Sequence, residues 1–194
     1  KAAVEILVNS YNFSFFKANV KVATVRAGNV IGGGDRANKR ILPDFFRCKQ
    51  TKKTLNVRSA NSLRPWQFVL EPLTGYLMIA EANYRKKIPA HIKQTWNFAP
   101  TKNKVYTVKE IINKLNVFFK ISIKFKKTKS NLEKTHLNLS SLKSKKYLNW
   151  KSHYSIKKTM QEIADWELNK IHNKSIRFFS EFQIKNYLKV LKWK

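Results

Sequence analysis

Two short stretches hold polar side chains that could line a ligand site. One is Arg64-Pro65-Trp66, where a guanidinium stands beside a proline and an indole that fix its direction. An arginine held this way can fork onto a diphosphate with two parallel N–H···O bonds. The other is Val22–Asp35, VATVRAGNVIGGGD, in which Asn29 sits among Gly28, Gly32, Gly33 and Gly34. An asparagine between glycines is either a turn residue with positive φ or an amide aimed at a ligand. The chemistry such residues would do is to bind and orient a ligand.

The elements needed to position these residues are readable from the pattern. Residues 2–17 have helical spacing, with Val4, Leu7, Val8, Tyr11 and Phe15 on one face. Val20–Ala27 is a predicted strand whose apolar run suits burial in a parallel sheet. A strand that runs into a glycine-rich loop is where open α/β sheets place their ligands. Leu42-Pro43-Asp44 opens a helix to about Lys49, Leu55–Val57 and Trp66–Leu70 are short extended pieces, and Pro72 opens a helix to about Asn83. Thr95–Phe98 is a strand, and Thr107 with Glu110 forms a capping box for a helix over Val108–Phe119. Ile121–Phe125 alternates as a strand, and Leu137–Leu139 is a further extended piece. Ser140 caps a short helix to Tyr147, and Ser155 caps a longer one to about Asn169. The basic, aromatic stretch 171–194 follows, as a helix that packs on the protein or lies on a membrane surface. Alternating strands and helices predict an α/β fold with a parallel sheet.

The glycines do not make a dinucleotide fingerprint. Gly32, Gly34 and Ala37 meet the G-x-G-x-x-G/A spacing, but no helix starts at once and the next acid, Asp44, comes too soon for a ribose partner.

Composition limits the remaining readings. The 194 residues are 43% hydrophobic and 13% aromatic, which indicates a packed core. The single Cys48 excludes an internal disulfide framework, favours a reducing, cytoplasmic setting, and reads as packing on an apolar helix. No apolar run is long enough to span a membrane. The net charge of +29 invites nucleic-acid or membrane binding. However, 32 of the 40 basic residues are Lys and Asn occurs 18 times, spread along the chain, which favours compositional drift over a binding patch. The absence of a starting Met and of a cap before the first helix leads to the expectation of a fragment.

The order KAAVEILVNSY, RAGNVIGGGD, ILPDFFR, SLRPWQFVLEPLTGY and WNF resembles the second half of an extended short-chain dehydrogenase/reductase of the NAD-dependent epimerase/dehydratase family, over residues 1–168. RAGNVIGGGD with RPWQFVLEPLTGY is similar to the branch that acts on CDP-glucose. The resemblance implies the C-terminal part of a Rossmann-type NAD-binding fold with a smaller α/β substrate-binding lobe, residues 1–170, followed by the tail 171–194. It implies that Lys1 binds the nicotinamide ribose and assists a catalytic Tyr lying before the chain start, and that the Val30 backbone faces the nicotinamide. Asn29 and Arg64 would hold the substrate diphosphate, Leu55, Asn56 and Val57 would lie along the base, and Arg40, Ile41 and Asn97 would make further substrate contacts. The implied reaction is a 4,6-dehydration: hydride leaves C4 of the glucose, water is lost across C5 and C6, hydride returns to C6, and NAD is regenerated. The product feeds deoxysugar and lipopolysaccharide synthesis. A homodimer through the first helix is implied for the full-length protein, and the chain alone is expected to be inactive. Glu133, flanked by Leu132 and Lys134, departs from the family pattern. The competing readings are another nucleotide-sugar epimerase or reductase on the same frame, and a basic binding module without catalysis.

Overall fold

A computed structural model describes residues 2–16, 20–100, 105–126, 139–172 and 175–192, apart from the side chain of Ile171. Lys1, Glu133 and the Leu137–Leu139 piece up to residue 138 lie outside the described residues. The chain runs α1 (Ala2–Ser14), β1 (Thr24–Ala27), β2 (Asn29–Ile31), α2 (Ile41–Gln50), β3 (Leu55–Val57), β4 (Leu63–Arg64), β5 (Trp66–Phe68), α3 (Leu70–Tyr84), β6 (Thr95–Phe98), β7 (Tyr106–Thr107), α4 (Val108–Phe119), β8 (Ile123–Phe125), α5 (Leu142–Leu148), α6 (Ile156–Ile171) and α7 (Ile176–Leu191). The α/β expectation is met. Three strand pairs are parallel: β1 with β6, β2 with β5, and β3 with β8. The fourth, β4 with β7, is antiparallel.

The start of α4 follows its sequence signal closely. The Thr107 hydroxyl accepts from the Glu110 N–H at 3.1 Å, and the Glu110 carboxylate accepts from the Thr107 N–H at 2.7 Å. Both orphan donors of the first turn are thereby satisfied. The α6 start is similar, with the Ser155 hydroxyl accepting from the Lys158 N–H. Pro43 and Pro72 fall in the first turns of α2 and α3, where a missing N–H breaks no helical bond. Helix α3 begins at Leu70, ahead of the proline that was expected to open it.

Two cores result. In one, Phe45, Phe46 and Phe119 meet edge to face, with ring centroids 5.4–5.9 Å apart, over Ile111, Ile112, Leu115, Met160 and Ile163. This joins α2, α4 and α6 to β3 and β5. In the other, Trp96, Phe98 and Trp150 pack with Ile79, joining α3 to β6. Between them lies Glu71, 1% exposed in the first turn of α3. Its carboxylate accepts from the backbone N–H groups of His153 and Tyr154 and from the Tyr187 hydroxyl at 2.7 Å. Its own carbonyl accepts from the Trp150 indole. Tyr187, in turn, is 1% exposed, so α7 is anchored in the interior. By contrast α1 buries no residue; Glu5 holds it to β1 by accepting from Thr24 Oγ1 at 2.8 Å and pairing with Arg26.

Candidate functional site

The RAGNVIGGGD and RPW stretches come together in backbone register. Gly28 follows β1 and lies so close to Pro65 that a Cβ would stand 2.5 Å from the Pro65 carbonyl oxygen. Only a residue without a side chain permits that approach. The Asn29 N–H then donates to the same Pro65 carbonyl at 3.0 Å. From there β2 runs beside β5, with Asn29 opposite Trp66, Val30 opposite Gln67 and Ile31 opposite Phe68. Asn29–Ile31 is therefore a strand, where the sequence suggested the beginning of a loop. Glycine punctuation concealed a short parallel pairing that only the distant β5 could reveal.

Arg64 lies one residue before this junction, in β4 opposite Tyr106, and its Nη1 donates to the Leu63 carbonyl at 2.8 Å. The Trp66 indole donates to the Tyr106 carbonyl at 3.0 Å, which fixes the ring that follows the proline. Val30 is 36% exposed and so presents its face to solvent at the strand end.

The glycines that follow have a different partner. A Cβ on Gly33 would meet Trp166 at 2.4 Å, and Gly34, with φ +81°, lies against the far edge of the same indole. Gly34 donates its N–H to Glu167 Oε1 at 3.0 Å. Glu167, with its side chain 3% exposed, also receives both guanidinium nitrogens of Arg36, at 2.9 and 2.8 Å. That bond and the attraction of the carboxylate raise the Arg36 pKa above its already high ordinary value. The Arg47 guanidinium donates to the carbonyls of Arg36 and Ala37, and Asp35 accepts from the Ala37 N–H. The loop is thus clamped over Gly33–Ala37. The glycines make room for an indole, and the space a phosphate cradle would need is filled by Trp166. This agrees with the rejection of a dinucleotide fingerprint.

The other predicted site residues fall into three environments. Arg40 caps α2 by position, with its side chain 67% exposed and 3.4 Å from Asp35, and Ile41 begins that helix. Leu55 and Val57 point into the core, while Asn56 is exposed and donates to the Thr54 carbonyl, so this strand can offer a ligand its backbone and one amide. Asn97, in β6, has a buried Oδ1 without a hydrogen-bond partner. Gln67 was not singled out by sequence, yet it is 3% exposed, donates to the Phe98 carbonyl at 2.9 Å and leaves its own Oε1 unpartnered. Two buried amide oxygens beside β6 are acceptors a bound donor could satisfy. Glu71, Trp166 and Glu167 were also missed. The Glu71 carboxylate meets His153 82 positions away and Glu167 meets Gly34 133 positions away, beyond any local spacing rule.

Among the described residues no cluster of metal-ligating side chains occurs, and no helix is long and apolar enough to cross a membrane.

Parallel strand pairs, crossover helices and a clamped loop at a strand's carboxyl end make this a Rossmann-type α/β fold. The structure superposes on dTDP-glucose 4,6-dehydratase from Bacillus anthracis in complex with NAD with a TM-score of 0.67, covering 87% of this chain and 50% of that one at 15% identity. UDP-glucose-4-epimerase from Stenotrophomonas maltophila gives a TM-score of 0.71, covering 89% of this chain and 54% of that one at 12% identity. In sequence the chain is a relative of the CDP-glucose 4,6-dehydratase of Salmonella typhimurium, 32% identical over 97% of this chain and 54% of the relative. It therefore spans about half the length of the proteins it matches. Its likenesses in sequence and in fold are thus to nucleotide-sugar dehydratases and epimerases. No family model matches it.

Proposed function

We propose that this chain forms the substrate-side portion of a nucleotide-sugar 4,6-dehydratase acting on CDP-glucose, giving CDP-4-keto-6-deoxyglucose. The observation that carries the proposal is the junction of Asn29 and Arg64-Pro65. A glycine contact and a 3.0 Å hydrogen bond join the Asn29 backbone to Pro65, the residue next to Arg64. In this reading Asn29 and Arg64 hold the diphosphate, the β3 backbone lies along the base, and Arg40, Ile41 and Asn97 make further contacts. Val30 offers a wall to the nicotinamide of NAD, and Lys1 would reach its ribose. The cofactor's phosphates have no place on Gly33 and Gly34, which Trp166 covers. NAD, when bound, supplies a reversible hydride acceptor; these residues bind and orient the sugar against it. The similarity to the Salmonella enzyme supports CDP-glucose as the substrate.

The reading is tested by titrating the protein calorimetrically with CDP-glucose, dTDP-glucose and UDP-glucose. CDP-glucose should bind most tightly. Arg64→Lys and Asn29→Ala should each weaken it about tenfold, the value of one charge-assisted hydrogen bond of roughly 1.5 kcal/mol. Equal affinity for all three, or indifference to Arg64→Lys, would overturn the assignment. Incubated with CDP-glucose and NAD, these 194 residues should form no keto product, because they span about half of the relative's length. An epimerase is the second reading, favoured by the epimerase superposition. It predicts preferential binding of UDP-glucose in the same titration.

A further inference from the structure

The clamp over the glycine loop reaches past α6 to the C-terminal helix. Trp166, which fills the space beside Gly33 and Gly34, donates its indole N–H to Ser180 Oγ of α7 at 2.9 Å. That hydroxyl is held by donating to the Ile176 carbonyl at 2.8 Å, so its lone pair is aimed at the indole. Two further bonds fix α7 itself: Gln183 donates to the Glu162 carbonyl at 2.8 Å, and Tyr187 to the buried Glu71. On the neighbouring position of α6, Glu167 holds the Gly34 N–H and the Arg36 guanidinium together. The loop so fixed connects Asn29 at one end with Arg40 and Ile41 at the other.

We propose that α7 is a positioning element for the substrate loop. Ser180, acting through Trp166, and Glu167, acting through Gly34 and Arg36, set where residues 32–36 lie and hence how Asn29, Arg40 and Ile41 meet the nucleotide sugar. None of the three touches the ligand. An indole without its acceptor can slide along the glycines, since Gly33 and Gly34 present no side chain to stop it. The inference rests on the functional reading above for the identity of the ligand, but its mechanical half does not.

The test uses the full chain with Ser180→Ala, Ser180→Thr and Glu167→Gln, followed by amide hydrogen exchange at Gly33 and Gly34, CDP-glucose titration and urea unfolding. Loss of one hydrogen bond should speed exchange at both glycines about fivefold in Ser180→Ala and weaken CDP-glucose by a similar factor, with Ser180→Thr restoring both. Glu167→Gln should act most strongly at Gly34. Arg64→Ala serves as the contrast, weakening the ligand while leaving glycine exchange unchanged. Unchanged exchange in both Ser180→Ala and Glu167→Gln overturns the proposal. So does a uniform rise in exchange across α2, α4 and α6, which would mark a general loss of stability. If the unaltered protein binds no CDP-glucose, the functional reading fails while the exchange data still decide the clamp.

Discussion

At Gly28 the absence of a side chain is what joins the two halves of the candidate site. Gly28→Ala would press a methyl group against a backbone carbonyl that has no rotamer to escape into. We expect a loss of about 1–3 kcal/mol in urea unfolding, the usual range for overpacking, with a larger proportional loss of nucleotide-sugar binding. Glu71 is the other residue whose environment sets its behaviour. Burial raises its pKa above 4.5, against the lowering effect of the bonds from Tyr154, Tyr187 and His153. The folded state therefore holds the proton to higher pH than the unfolded chain does. The associated stability is fully present below about pH 4.5 and falls as pH rises through the folded pKa. Denaturation midpoints at pH 4, 5.5 and 7 should show this slope in the native protein and its flattening in Glu71→Gln. Tyr187→Phe removes one donor to a buried carboxylate and should cost roughly 1–3 kcal/mol at neutral pH.

Among the elements, α1 and α4 make opposite predictions. Helix α4 closes its first turn with a complete capping box, and Thr107→Ala should lower stability by about 1 kcal/mol. Phe13, on α1, is 93% exposed, and Phe13→Asp should change the unfolding free energy by less than about 0.5 kcal/mol. Elements of this kind were also the ones most legible beforehand, because capping, proline position and apolar spacing are local. The α4 start, β6 and the α6 cap follow directly from Thr107, Thr95–Phe98 and Ser155. The two-residue strands β4 and β7 could not be foreseen, since neither carries a period and each exists only by pairing with the other. The site was half legible for the same reason. Asn29 and Arg64 stood out by type and neighbours, whereas the purpose of Gly33 and Gly34 depends on an indole more than a hundred positions away. Gln67 reads as an ordinary strand residue until its burial and its bond to the Phe98 carbonyl are seen.

For the molecule as a whole, a charge of +29 sits on an architecture with few acids, three of which lie inside. Of the 11 acidic residues, Glu71, Glu162 and Glu167 are buried, and each ties together segments that are remote in sequence. Lysines, by contrast, are distributed along the whole chain. A dedicated nucleic-acid surface would give a log–log salt slope of several units for DNA affinity. We expect a slope near zero above moderate salt, measured by fluorescence anisotropy with a duplex probe.

The bond from Tyr187 to Glu71 spans 116 positions, and it also has a meaning in time. During synthesis α3 leaves the ribosome with a carboxylate whose partners do not yet exist. The N–H groups of His153 and Tyr154 arrive about eighty residues later, and the tyrosine hydroxyl arrives 116 residues after Glu71. Long-range closures of this sort are slow, and their cost in chain entropy comes before any return. A nascent chain stalled anywhere before Tyr187 would keep this part of the interior open to chaperones and proteases. Completion of α7 is what seals it.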